Sequence, residues 1–154
     1  MYNIEVCSEK DKEYIIDRLV EYNLSQVSGK QKETFIDLSR KVTDEKGGII
    51  GGIVARMYCW NCIYIDTLWI SEKYRGKGIG KKLLKETENY AEKNNVHLIH
   101  TDTFDFQAKD FYKKYGYEVF GVLEDCPENH KRYFMKKKIE NLKIETRETE
   151  MRKF

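Results

Sequence analysis

The chain has 154 residues, a length that fits one compact domain and excludes a multidomain enzyme. Lys plus Arg (28) and Asp plus Glu (26) leave a formal charge of only +2; seven basic and four acidic side chains fall in 136–154, leaving 21 against 22 for the rest, which excludes the basic excess of a dedicated duplex binder. With 40% apolar residues, 13% aromatics and eleven Tyr there is material for a core, so disorder of the whole chain is excluded.

Met1 to Lys12 lacks the charged, apolar, small-residue order of a secretory signal, and no apolar run approaches the ~18 residues of a membrane span. The expectation is a cytoplasmic protein that binds neither membrane nor nucleic acid. Four cysteines (Cys7, Cys59, Cys62, Cys126) are too sparse for a disulfide scaffold, and reduced thiols suit that compartment.

Ser8-Glu9-Lys10-Asp11 is a helix start, and Ile15, Ile16, Leu19 and Val20 follow at helical spacing, predicting a helix over about 9–23. A strand is expected near 35–42, joined as a hairpin through Asp44-Glu45-Lys46-Gly47-Gly48 to another over 49–58. Cys59-Trp60-Asn61-Cys62 turns the chain into the run 63–70, whose β-branched and aromatic residues predict a strand buried on both faces. Ile79, Leu83, Leu84, Tyr90 and Ala91 place one apolar stripe on a helix over about 78–93. A strand over 96–103 follows, then a helix carrying Ala108, Phe111, Tyr112 and Tyr115 and ended by Gly116, then strands over 117–123 and 132–137 flanking a loop with Pro127. The strand, helix, strand unit from 63 to 103 calls for a parallel pair, and the hairpins for antiparallel ones. The predicted class is α/β, a mixed sheet of six or seven strands with flanking helices. The organisation is one domain over 1–137 and a charged tail over 138–154.

The most informative segment is Tyr74-Arg75-Gly76-Lys77-Gly78-Ile79-Gly80-Lys81-Lys82, between the buried strand and the amphipathic helix. Three alternating glycines let backbone N–H groups close around an anion, the helix start adds about half a positive charge, and Arg75, Lys77, Lys81 and Lys82 surround the spot. A turn that merely lets strand and helix pack closely would use the same glycines. A Walker A loop is excluded because Arg75 stands where its first glycine belongs and Lys82 where its hydroxyl residue belongs. A dinucleotide fingerprint is excluded by the even spacing of Gly76, Gly78 and Gly80.

Arg75, Gly78 and Gly80 in an Arg-x-x-Gly-x-Gly pattern, after a strand ending Leu68-Trp69-Ile70 and some thirty residues before Phe111-Tyr112-Lys113-Lys114-Tyr115-Gly116-Tyr117, resemble the GNAT superfamily, the Gcn5-related N-acetyltransferases. The close match spans about 63–121 and the element order agrees over about 1–137. The resemblance implies central parallel strands that splay into a cleft for acetyl-coenzyme A, with the pyrophosphate on backbone amides of Gly76, Lys77, Gly78, Ile79, Gly80 and Lys81 and with Arg75 at the entry. It implies a pantetheine arm paired like an added strand with Leu68, Trp69 and Ile70, whose N–H groups also face the developing oxyanion. The implied reaction is direct attack of a neutral primary amine on the thioester, with no metal. A non-catalytic acyl-coenzyme A-binding module would keep the same cradle, and a nucleic-acid or ribosome adaptor would use the basic tail.

Tyr112 matches the superfamily's acid for the leaving thiolate, although its apolar stripe equally suits a core residue. Asp66, the one residue of the 63–70 run charged at neutral pH, needs a partner or a raised pKa, as a base does, and a structural hydrogen bond would satisfy it as well. Relatives place Asn as a cofactor contact where this chain has Asp105, and Gln107 either substitutes for it or simply begins the helix. Cys59-x-x-Cys62 has the spacing of half a zinc site but lacks a second pair, and reads as two thiols in a turn. His97 and His100 differ by an odd number within a strand and point to opposite sides. Cys126 and His130 share the Pro127 loop, read as a rim of the acceptor site. Trp60, Trp69, Tyr58, Tyr64 and Tyr133 are candidate pocket aromatics. Asp66, Asp102, Asp105, Glu124, Asp125 and Glu128, if convergent, favour a cationic acceptor, either a small amine or a peptide or protein amine. A homodimer is compatible with this reading.

Overall fold

The computed structural model describes residues 1–140, so all but the first residues of the expected tail lie outside the described residues. The element order is α1 (Glu9–Gln26), β1 (Phe35–Asp37), β2 (Arg40–Thr43), β3 (Ile49–Tyr58), β4 (Cys62–Ile70), a short 3-10 turn (Glu72–Tyr74), α2 (Ile79–Lys93), β5 (Leu98–Phe104), α3 (Lys109–Lys114), β6 (Glu118–Glu124) and β7 (Lys131–Lys138). Seven strands form one sheet in the order β1-β3-β4-β5-β7-β6, with β2 also on β3. Only β4 and β5 run parallel; every other pair is antiparallel.

The expected first strand is two. Between β1 and β2 the buried Leu38 and then Ser39 leave the ladder: the Asp37 carboxylate accepts the Ser39 N–H at 2.9 Å, and the Ser39 hydroxyl accepts the Ala55 N–H at 3.3 Å. The Asp44 turn forms as expected, its carboxylate accepting the N–H groups of Lys46 and Gly48 at 2.9 and 2.8 Å. The third helix is shorter than its apolar stripe, because the Gln107 side chain accepts the Phe104 N–H at 2.8 Å and holds the entry as a turn.

Helices α2 and α3 cover one face of the sheet. Leu83, Leu84 and Ala91 of α2 and Tyr112 of α3 join Ile53, Ile63, Ile65, Ile99 and Met135 in the core. The expectation that β4 is buried on both faces holds only for its first half. From Asp66 onward none of its side chains is buried: Asp66, Thr67 and Trp69 are exposed and Leu68 and Ile70 half-buried.

Burial alone would have placed α2 with a wholly apolar inner stripe, yet Glu88 is buried there. The Lys137 ammonium on β7 donates to it at 2.9 Å. This ion pair ties β7 to the α2 face. Tyr117 packs beside it with its hydroxyl buried and without a hydrogen-bond partner; burial, then the Glu88 charge, push the phenol's pKa well up, so it stays neutral. Removing one member of a buried pair leaves the other unpaired. Lys137→Met is therefore expected to cost about 1–3 kcal/mol in chemical denaturation, and adding Glu88→Met to recover most of it.

Candidate active site

The site begins where the two parallel strands part. β4 and β5 pair over four rungs, Cys62–Leu98 to Ile65–Thr101, and no further, although β4 continues to Ile70 and β5 to Phe104. The departure coincides with a bulge: Val54 of β3 faces Thr67 and Ala55 faces Ile65, so Asp66 is the extra residue of β4. A bulge bends and twists its strand, and here it turns β4 away from β5. From 66 to 70 the β5-side edge of β4 has no strand partner among the described residues. Its backbone groups are open to an extended ligand.

The strand ends in a 3-10 turn, where the Arg75 guanidinium donates to the Ile70 carbonyl at 3.0 Å and fixes the entry to the glycine loop. The glycines divide their work. Gly76 and Gly78 have φ of +73° and +79°, a region that side chains disfavour, and a Cβ on either would meet nothing within 4 Å; they are needed for conformation. Gly80 lies within helix α2, and a Cβ there would make van der Waals contact with the Phe111 ring at 3.4 Å, so this glycine packs beneath α3. Gly78 is the N-cap of α2 and no side chain caps the helix, which leaves the first-turn N–H groups free at the positive end of the dipole. Lys77, Lys81 and Lys82 are exposed around it, Lys77 lying 5.2 Å from the Tyr74 ring centroid. Open amides, a helix start and mobile cations fit a diphosphate.

Tyr112 is buried, 3% exposed, and belongs to the core cluster. Its phenol lies beside Thr101, whose hydroxyl donates to the Ile65 carbonyl at 2.9 Å. Those two residues are the last rung before the strands separate. Burial chiefly, with the Asp102 charge, raises the Tyr112 pKa above the usual tyrosine value against the opposing effect of Thr101. The phenol therefore holds its proton and is suited to give one rather than take one.

Asp66 is exposed, accepts the Thr67 hydroxyl at 2.9 Å, and has no basic partner among the described residues. Asp102 and Asp105, which were expected to converge with it, do not share this freedom. Asp102 accepts Arg132 Nε and Nη2 at 2.7 and 2.5 Å and the Tyr64 hydroxyl at 2.8 Å. Asp105 accepts His130 Nδ1 and the Lys131 N–H, both at 3.0 Å; its own desolvation raises its pKa, but these bonds outweigh that and hold it low. Asp105 and Gln107 thus spend their side chains on the loop after β5, Gln107 on Phe104 N–H and Asp105 in a bridge to the 125–130 loop. That bridge fixes His130 beside the end of β5, with Phe106 edge-on against its ring at 5.1 Å.

Sequence reasoning missed the polar cluster on the open face. Tyr64 stacks on His100 at 5.1 Å, Tyr58 meets His100 Nε2 at 2.7 Å, and Arg56 lies 5.5 Å over the Tyr64 ring. Burial lowers the His100 pKa and raises Tyr58 and Tyr64 to about 12, so all three are neutral at physiological pH. The signal available was the period of two: Tyr64, His100 and Asp102 share a face once the parallel register is known, and the register is not in the sequence. The remaining candidates lie apart. His97 is 3.7 Å from Cys62 Sγ at the far end of the strands, and burial raises the thiol pKa of both Cys59 and Cys62, which makes them poor nucleophiles. Trp60 donates its indole N–H to the Val27 carbonyl at 2.8 Å, away from the cleft.

Because Gly78 has room but the wrong backbone region for a side chain, Gly78→Ala is expected to cost roughly 1–2 kcal/mol of conformational strain, spent on the cradle. Titration calorimetry with coenzyme A should show about tenfold weaker binding, whereas an unchanged Kd would mean that the loop is not the diphosphate site.

The comparisons with known proteins agree with this geometry. The sequence matches the acetyltransferase (GNAT) family over residues 4–117. It is similar to a blasticidin-S acetyltransferase of Streptomyces morookaense, 33% identical over 54% of this chain and 61% of that one, so the match spans under two thirds of that relative. An acetyltransferase from Bacillus cereus ATCC 14579, solved at 1.9 Å, is 38% identical and superposes with a TM-score of 0.79 over 89% of this chain and 97% of its own. A streptothricin acetyltransferase from Bacillus anthracis str. Ames, described as putative and solved in complex with acetyl coenzyme A, shares the fold at 23% identity and a TM-score of 0.59, over 68% of this chain and 63% of that one. With the glycine cradle, the open strand edge and these matches in agreement, the chain belongs to the acetyltransferase (GNAT) family.

Proposed function

We propose that this acetyltransferase modifies a small cationic primary amine, with Asp66 taking the proton from the ammonium and Tyr112 giving one to the departing sulfur. The observation that carries the reading is the position of Asp66. It is the carboxylate without a basic partner at the point where the sheet opens, whereas Asp102 and Asp105 are tied to Arg132 and His130. One relative is named for blasticidin S, another for spermine and spermidine, and a third as an N-alpha-acetyltransferase, so the choice of a small amine rests on Asp66 and not on those names.

The residues present fit acetyl-coenzyme A: the amides from Gly76 to Lys81 would hold its diphosphate, Arg75, Lys77 and Lys81 its charge, and the β4 edge at Leu68, Trp69 and Ile70 its amide-bearing arm. When bound, it supplies an activated acyl group and a thiolate leaving group. The chain does the rest. An ammonium with a pKa near ~10.4 reaches the cleft charged, is drawn to Asp66 and loses its proton there, directly or through water. N–H groups of the β4 edge stabilise negative charge on the acyl oxygen. Tyr112, kept neutral by burial, holds the second proton.

Thiol release from acetyl-coenzyme A across a panel of small amines and lysine peptides tests this reading. Small polyamines and aminoglycoside-like amines should be acetylated faster than peptides. Asp66→Asn should lower kcat/KM by about 10²-fold or more, and Tyr112→Phe should lower kcat comparably while the coenzyme A Kd changes little. An unchanged rate in Tyr112→Phe removes its assignment, and binding without thiol release for any amine would favour the non-catalytic module. The raised Tyr112 pKa also has a direction: its protonated form persists past pH ~10, so activity should not decline through Tyr112 ionisation as pH rises from neutral. A decline near pH ~8–9 that disappears in Tyr112→Phe would contradict the assignment.

A further inference from the structure

Helix α1 is well started and unpartnered. Ser8 and Asp11 form a reciprocal capping box, the Asp11 N–H donating to the Ser8 hydroxyl at 3.2 Å and the Ser8 N–H to the Asp11 carboxylate at 2.7 Å. Yet none of its eighteen residues is buried, and Tyr14, Ile15, Ile16, Leu19 and Tyr22 are 55–63% exposed. The segment before it alternates apolar and polar as Tyr2-Asn3-Ile4-Glu5-Val6, the period of a half-buried strand, but it joins no strand and its apolar side chains are more than 90% exposed. The first 26 residues are therefore an arm with an apolar face and nothing against it.

The complementary surface is on the same molecule. The sheet face opposite α2 carries the exposed Ile49, Val54 and Trp69, and beside them a groove of about 500 Å³ floored by Gly51 and Gly52. The neighbouring β2 is paired on one side only, by β3. A helix suits the face and a strand suits the edge.

The root of the arm keeps it from its own sheet. Trp60 Nε1 donates to the Val27 carbonyl at 2.8 Å and the Lys30 N–H donates to the Cys59 carbonyl at 2.9 Å, so the end of α1 is fixed at the β3–β4 turn. Only Val20, Asn23 and Leu24 in the last turns are half-buried, and the rest of the helix leads away into solvent. From this we infer that residues 1–26 dock on the open sheet face of a second copy, each copy giving one arm and receiving one, a closed two-fold exchange. Ten large apolar side chains of residues 1–27 are more than half exposed. At on the order of 100 Å² each they supply roughly 2,000 Å² for two arms before the receiving faces are counted, at the upper end of a standard interface.

Sedimentation velocity and light scattering on the full chain should show a dimer at micromolar concentration. Leu19→Glu on the arm and Val54→Glu on the face should each yield a monomer that still binds coenzyme A, since neither side chain is buried in the single copy. Mixing Ile16→Cys with Trp69→Cys chains, both carrying Cys7→Ser, should give a disulfide-linked heterodimer on oxidation. A monomeric wild-type chain overturns the inference, as does a dimer that survives both Glu substitutions. Placing Ile16→Cys and Trp69→Cys in one chain gives the last control: closure of the bond within that chain at high dilution would show that the arm reaches its own face, and would also overturn it.

Discussion

The site depends on one interruption: the hydrogen-bonded ladder between β4 and β5 stops at Ile65–Thr101 while both strands continue. A sheet that kept pairing would have no use for the donors and acceptors beyond that rung except with itself. Stopping it leaves a row of backbone groups that must be satisfied by water or by a ligand. The bulge at Asp66 is what makes the stop abrupt, because it changes both the direction of β4 and the face on which its next side chains fall. The glycine loop then begins at Gly76, six residues after Ile70, and its own orphan N–H groups follow the end of the same strand. One extended ligand with a diphosphate at one end and amides along its length answers both deficits.

The sequence made the phosphate end of this arrangement legible because that end is local. Gly76, Gly78 and Gly80, their basic neighbours and the apolar stripe of α2 all fall within one short stretch, and backbone freedom, charge and periodicity can be read without knowing what lies across the sheet. The structure then separates what the motif had merged: two glycines have positive φ, and the third sits inside α2 against Phe111. The boundaries of α3 and the division of β1 from β2 were not legible, because both are set by side chains, Gln107 and Ser39, that compete with the regular backbone ladder.

The acceptor side was legible only as a list of residue types. Asp66, Asp102 and Asp105 look equivalent along the chain, and the long-range partners decide which of them keeps a free charge. Arg132 lies 30 residues from Asp102 and His130 lies 25 from Asp105, and both come to the cleft because β7 inserts between β5 and β6. That insertion is a topological fact with no local signature. The buried pair of Glu88 and Lys137 belongs to the same class: a carboxylate in the middle of an apolar helix stripe reads as surface until β7 brings it an ammonium.

Charge around the cleft is arranged by this neutralisation. A Tyr, a His and a second Tyr, all neutral, floor the open face, and the Asp102–Arg132 pair contributes almost no net charge where the acceptor would approach. Free positive charge lies at the glycine loop and at Arg56 over the Tyr64 ring, and Asp66 carries a free negative charge at the other end of the unpaired stretch of β4. Two cations repel and a diphosphate and an amine attract, so each end selects its own ligand and rejects the other's. The floor itself is neutral and Arg56 stands beside it, so on the proposed reading an approaching ammonium would be repelled there and drawn toward Asp66. Specificity in this cleft comes as much from the charges that are paired off as from the one that is left.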